Sequence, residues 1–135
     1  MDGVAAVRSV LAEDGDLLAL VPATRIFAGP APLGTVLPFV MLESISIVDR
    51  NIPSPGAQRF VTERVQVTWV AQNYPQQKQL QRAVRHAAAD KINPAVAGIS
   101  GVTIHTDSAG PDFFDQDYSG WRGSQDLRVK YSEER

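Results

Sequence analysis

Phe60-Val61-Thr62-Glu63-Arg64-Val65-Gln66-Val67-Thr68-Trp69-Val70-Ala71-Gln72 is the stretch on which the fold turns. Val61, Val65, Val67 and Trp69 fall on one side of an extended chain, and Thr62, Arg64, Gln66 and Thr68 on the other. That period of two marks the strongest strand in the sequence. Just after it, Pro75 opens a helix at a position where its missing N–H costs nothing. Leu80, Ala83, Val84, Ala87 and Ile92 share one face of that helix, and Pro94 ends it after Asn93. Ile99 to Asp107 reads as a further strand carrying Val102, Ile104 and Thr106, and Trp121 to Ser132 alternates as the last one. Asp115, Asp117, Ser119 and Gly120 suit the tip of a long hairpin spanning 107–121.

Upstream, Pro38 leads into Phe39 to Val48, whose second half alternates as a half-buried strand does. Residues 49–59 hold two prolines and a glycine without periodicity, which predicts a projecting loop. Arg25-Ile26-Phe27 reads as a short strand ahead of a loop punctuated by Gly29, Pro30, Pro32 and Gly34. Val4, Val7 and Leu11 recur at helical spacing, so residues 2–12 read as an amphipathic helix with Asp2 as its cap. A second helical turn follows Asp14-Gly15-Asp16 and stops at Pro22. The order predicts a single α+β domain over residues 1–135. Its sheet should be mostly antiparallel, with about four to five strands and the helices packed on one face.

Composition narrows the function classes. The 135 residues are 44% hydrophobic and 21% charged, ordinary for a globular domain. Cysteine is absent, which excludes a disulfide framework, a thiolate metal site and a cysteine nucleophile. The formal charge of −2 offers no basic excess for gripping phosphates. Apolar runs such as Leu17 to Val21 and Pro38 to Leu42 are too short to span a bilayer. Met1-Asp2-Gly3 lacks the basic start of a secretory signal, so an intracellular protein is expected.

Chemistry-bearing patterns are sparse. Asp107, Asp112, Asp115 and Asp117 match only two positions of a calcium loop, and a solvated hairpin tip accounts for them better. His86 and His105 have no metal-ligand spacing, and neither a G-x-S-x-G elbow nor a glycine-rich strand-to-helix loop is present. No cofactor, metal or catalytic residue is expected. The aromatics Phe113, Phe114, Tyr118 and Trp121 crowd the 107–121 hairpin. Trp121 continues the inward face of its strand, whereas adjacent Phe113 and Phe114 cannot both face inward from an extended segment. An outward Phe in a hairpin suggests a partner surface.

The order of several strings adds a resemblance. Leu17-Leu18-Ala19-Leu20-Val21, Arg25-Ile26-Phe27 and Pro38-Phe39-Val40-Met41-Leu42 resemble the start of the tail completion, or tail terminator, proteins of long-tailed phages. Val67-Thr68-Trp69-Val70, the Gln-, Arg- and Ala-rich helix and Asp126-Leu127-Arg128-Val129-Lys130-Tyr131 continue the likeness over nearly the whole chain. The family also occurs in prophages and gene transfer agents, and is similar in role to minor tail protein U of phage lambda. The resemblance implies a structural virion protein rather than an enzyme, assembled as a homo-oligomeric ring, typically a hexamer. Such a ring caps the tail tube, stops its polymerisation and meets the head connector. It would sit at the head-proximal end of the tail, after a period in the host cytoplasm. DNA would pass through it without specific binding, and no membrane is involved.

Under that reading Asp49, Arg50, Ile52, Arg59, Phe113, Phe114 and Tyr118, on the projecting 49–59 loop and 107–121 hairpin, are the candidate assembly contacts; the 49–59 and 107–120 segments depart from typical members. Two rivals remain, the first within the virion that the resemblance implies and the second from another class. One is another neck protein, a head-closure protein or a tail tube subunit. The other is a small α+β enzyme or ligand-binding module, which needs a deep apolar pocket with converging polar groups.

Overall fold

Asp2 and Asn73 open the two longer helices in the same way. The Asp2 carboxylate accepts from the Ala5 amide at 3.0 Å, and the Asn73 side chain accepts from Gln76 at 2.9 Å. Each takes up a donor that the first helical turn leaves unpaired. Helix α1 covers Gly3–Ala12, α2 is the short turn Gly15–Leu18 capped by Asp14, and α3 covers Tyr74–Ala88 with Pro75 in its first turn. The computed structural model describes residues 2–51, 53, 56–92, 94 and 96–134.

The strands are β1 Ile26–Ala28, β2 Phe39–Arg50, β3 Gln58–Ala71, β4 Lys91–Ile92, β5 Ile99–Ala109, β6 Phe113–Asp115 and β7 Gly120–Glu134. They form one sheet in the order β1-β2-β3-β7-β5-β4, with β6 also against β7. β1 runs parallel to β2, and the other pairings are antiparallel. The expected sheet of four to five mostly antiparallel strands is thus corrected to a seven-stranded mixed sheet that dominates the molecule. β4 and β6 are too short to carry a readable period.

The core has two parts. Val7, Leu11, Leu17, Leu80 and Val84 from the helices meet Val40, Leu42, Val65, Val67, Trp69, Ile104, Leu127 and Val129 from the sheet. A second cluster of Ala31, Phe39, Met41 and Val70 lies on the other side of the sheet, with Phe27, Leu37 and Tyr118 against it. Phe39 opposes Val70 in the ladder and Val40 opposes Trp69, so successive residues serve opposite faces. The expected helices packed on one face therefore account for only one of the two apolar clusters.

Three boundaries move. The α3 helix stops at Ala88 rather than Asn93, because Asp90 adopts φ +53 and turns the chain back, so that Lys91 and Ile92 pair with Ile104 and Thr103. Ile92 is 72% exposed on that short strand instead of lying on the helix face. Phe39 to Leu42 are buried, yet every residue from Glu43 to Arg50 is exposed. The expected half-burial fails there, because β2 gives only Phe39, Val40, Met41 and Leu42 to the two core clusters. Finally, the 49–59 loop shrinks: Arg50 opposes Phe60, which leaves residues 51–57 between the strands. The 107–121 segment likewise gives residues to β5, β6 and β7, around a turn in which Ser119 has φ +53.

Candidate assembly surface

At one end of the sheet, β2 and β3 form an arm whose apolar side chains face solvent. Ile45, Ile47, Val48 and Phe60 are all about half exposed or more. The register shifts between Ser44 and Ser46, which leaves Ile45 as the extra residue of a bulge. Asp49 and Arg59 are brought together, with Arg59 Nη1 3.7 Å from Asp49 Oδ2 and Arg59 Nε 3.3 Å from Glu133 Oε1. Arg50 lies in the adjacent row beside Phe60 and shares with it a hollow of about 400 Å³ that also touches Thr62 and Lys130. Ile52 lies outside the described residues.

At the other end of β7 stands an aromatic group. Phe113 and Phe114 are 47% and 50% exposed, so adjacency does not send one of them into the core. The Arg122 guanidinium lies 5.7 Å from the Phe113 ring centroid. Trp121 is half-buried rather than fully inward, and its ring meets Phe114 at 5.9 Å and Tyr74 at 5.2 Å, both edge-on. Tyr118 has a different setting. Its ring packs 4.9 Å from Phe39 and its hydroxyl donates to the Ala31 carbonyl at 3.0 Å. Phe60 opposes Ser132 and Phe114 opposes Trp121, so the two groups sit at opposite ends of β7, roughly 35 Å apart by strand rise.

Charged side chains fix the aromatic end. Asp112 accepts from Lys78 Nζ at 2.7 Å, Tyr74 Oη at 2.9 Å and Gln77 Nε2 at 2.6 Å, which ties the chain before β6 to α3. Lys78 above all holds the Asp112 carboxyl below its ordinary value, with Tyr74 and Gln77 adding to it. Burial pushes Asp115 upward, but Arg122 at 2.8 Å and the Asp117 and Tyr118 amides outweigh it and leave it lowered. The expected hairpin-tip carboxylates therefore serve as turn and ion-pair anchors. On the open face of the sheet, Asp126 accepts from Arg64, Gln66 and Ser108, and Arg128 pairs with Asp107 at 3.3 Å. His105 Nδ1 lies 2.8 Å from Asp90 on the exposed edge.

Sequence reasoning missed Ile45, Ile47, Val48 and Phe60 as surface residues, since alternation reads the same for a covered strand and a bare one. Tyr74 was missed as well, although its place one residue before Pro75 put it at the start of the helix.

The family model for tail completion protein gp17 matches residues 5–132 of the chain. A chain from a solved structure titled "Virion of native gene transfer agent (GTA) particle" superposes with a TM-score of 0.72 at 19% identity, covering 96% of this chain and 94% of that one. This second likeness is one of fold. No curated protein matches the chain.

Proposed function

Because the chain belongs to the tail completion protein gp17 family, a family of phage tail structural proteins, we propose that it is a tail terminator, forming a ring that caps the tail tube. The observation that carries the reading is the family match over residues 5–132. In this reading six copies close a ring at the head-proximal end of the tail, after folding in the host cytoplasm. The ring stops tube polymerisation and offers its other surface to the head connector or stopper. It does so without catalysis, and DNA slides through it unbound.

Two features of the chain support the reading. A subunit that bridges tube and connector needs separate contact groups, and the arm of Asp49, Arg50, Arg59 and Phe60 and the patch of Phe113 and Phe114 stand at opposite ends of β7. Head-to-tail ring closure needs two different complementary surfaces on each subunit. The sheet supplies two unlike margins, β2 with its bare lower half and β4. The resemblance in fold to a chain of a gene transfer agent virion fits a place in a particle.

Cryo-electron microscopy of purified particles, beside mass photometry of the free protein, tests the proposal. The expected result is one ring of this chain per tail, with interfaces burying upward of about 1,000 Å² each. Long polymers of the pure protein would make it a tube subunit instead. A stable dyad-symmetric dimer with no ring in the particle would overturn the reading.

A further inference from the structure

Arg50 and Lys130 stand on the same face of the sheet with β3 between them. Arg50 opposes Phe60, which opposes Ser132, and Lys130 opposes Thr62 two residues along. Two strand spacings across and two residues along set their Cα atoms roughly 12 Å apart, a gap that two long side chains close from both ends. Phe60, 52% exposed, lies in the same row as Arg50, on the strand between the two cations.

These residues line the hollow of about 400 Å³. Phe60 and Val61 give it an apolar side and Thr62 and Ser132 two hydroxyls, while Gly101 and Tyr131 complete the lining. No carboxylate lines it. A bulge shapes the β5 side: Ser100 opposes Ser132 and Thr103 opposes Lys130, so Gly101 and Val102 together face Tyr131, with Gly101 at φ +61. Bulges gather beside active sites because they bend a strand and re-aim its side chains.

Elsewhere on this face the cations are already matched. Asp126 holds Arg64, Asp107 holds Arg128 and Asp115 holds Arg122. The side chains of Arg50 and Lys130 have no ion pair or hydrogen bond among the described residues. Two unmatched cations beside an exposed aromatic ring, in a hollow without an acid, suit an oxyanion attached to something apolar. A nucleic-acid backbone fits less well. Its charge recurs along its whole length, and from this hollow it would next meet Asp107, which lines the adjoining one with Val48, Arg64 and Arg128. A polypeptide offers a single carboxylate with apolar neighbours.

We infer that the hollow between Arg50 and Lys130 receives an acidic peptide segment of a partner protein. One Asp or Glu carboxylate of that segment takes the Arg50 guanidinium on one side and the Lys130 ammonium on the other. An adjoining apolar side chain covers Phe60. The inference rests on the assembly reading above and gives the partner's chemistry at the arm; it requires neither six copies nor a ring.

Nuclear magnetic resonance titration of the full chain tests it with three probes: a capped leucyl-glutamyl-leucine peptide, its glutaminyl counterpart and a single-stranded oligothymidylate. The glutamyl peptide should shift the amides of Arg50, Phe60, Thr62 and Lys130 saturably, and the glutaminyl peptide should bind about tenfold more weakly. Arg50→Glu and Lys130→Glu should each weaken the glutamyl peptide about tenfold. Lys91→Glu, at an exposed position outside the hollow, should leave its binding unchanged. Thermal melts confirm that the variants fold. In purified particles a carbodiimide should join the Lys130 amine to a carboxylate of a different protein, and Lys130→Arg should abolish that link. Absent or equal binding of the two peptides, tighter binding of the oligothymidylate, no link from Lys130, or a link to another copy of this chain would each overturn the inference. If these tests fail while microscopy shows the ring, the hollow takes no acidic partner and the ring reading stands. If they succeed in particles without a ring of this chain, the ring reading falls and the hollow keeps its partner.

Discussion

Tyr131 donates a hydrogen bond to Glu63 Oε1 across 2.9 Å in a part of the core that water does not reach. The same oxygen accepts from the Gly3 amide at 3.0 Å, which places a buried carboxylate at the start of α1. The unpaired amides and the dipole of that helix end favour a negative charge there. Burial first, and then the neighbouring Glu63, push the Tyr131 hydroxyl well above its ordinary value. Three elements distant in sequence are fastened at one oxygen.

Loosening that fastening should be visible in stability alone. Tyr131→Phe removes one of two donors to a buried acceptor and is expected to cost about 1–3 kcal/mol. Gly3→Ala would bring a Cβ within 2.9 Å of the Glu63 carboxyl carbon, so the helix start or the buried Glu63 carboxyl must shift and strain the same hydrogen bonds, at a cost of about 1–3 kcal/mol. Urea unfolding measures both. A Tyr131→Phe variant as stable as the parent would remove the fastening from this account.

Gly123 is the second tight place. A Cβ there would stand 2.7 Å from Trp69 Nε1 and closer still to the Gln77 side chain, so β7 and α3 can approach only across a glycine. Gly123→Ala should lower the stability by about 1–3 kcal/mol and blunt the near-ultraviolet signal of Trp69. Gly15→Ala, with nothing within 4 Å of the added carbon, is the control and should unfold at nearly the parent denaturant concentration.

For the aromatic end the melting and assembly readouts should part company. Phe113→Ala and Phe114→Ala remove half-exposed rings, and surface changes of that kind usually stay within about 0.5 kcal/mol of neutral. Their incorporation into tails should fall about thirtyfold if each ring anchors a contact worth about 2 kcal/mol. Melts that drop steeply for both variants would make the rings part of the fold instead.

The Asp112 node predicts an acid dependence. Its carboxyl is lowered from 3.8 in the folded chain, so the stability it contributes is fully present above that value. It is lost as the pH falls through the lowered value, because protonation releases Lys78. Asp112→Asn should therefore flatten the acid limb of the stability–pH curve below about pH 4 while leaving its neutral part parallel to that of the parent. Thermal melts across pH 2–7 provide the comparison.

Where the sequence carried a long period, it carried the structure. Val61, Val65, Val67 and Trp69 lie in the core as alternation requires, and Asp2, Asp14 and Pro75 mark the helix starts. Period alone does not say what lies above a strand, so Ile45 and Ile47 read as buried although both are about half exposed. Ile92 fitted the helical face by spacing, yet Asp90 turns the chain before it is reached. Of the candidate contacts, the pairing of Asp49 with Arg59 and the exposure of both Phe113 and Phe114 needed coordinates. The hold of Tyr118 on Ala31, 87 residues away along the chain, has no local signal at all.

The placement of β7 between β3 and β5 has a consequence for synthesis. Strand β3 is complete at Ala71, but the strand that pairs with its full length begins only at Gly120. At roughly 5–20 residues per second the ribosome takes several seconds to cross that interval. Throughout it, the β2–β3 hairpin must wait with one side of β3 unpaired, and its pairing with β7 spans a long loop that closes slowly. The chain is therefore most exposed to misassociation before its last strand emerges, and a codon change that slows translation between residues 72 and 120 would lengthen that interval without altering a single side chain.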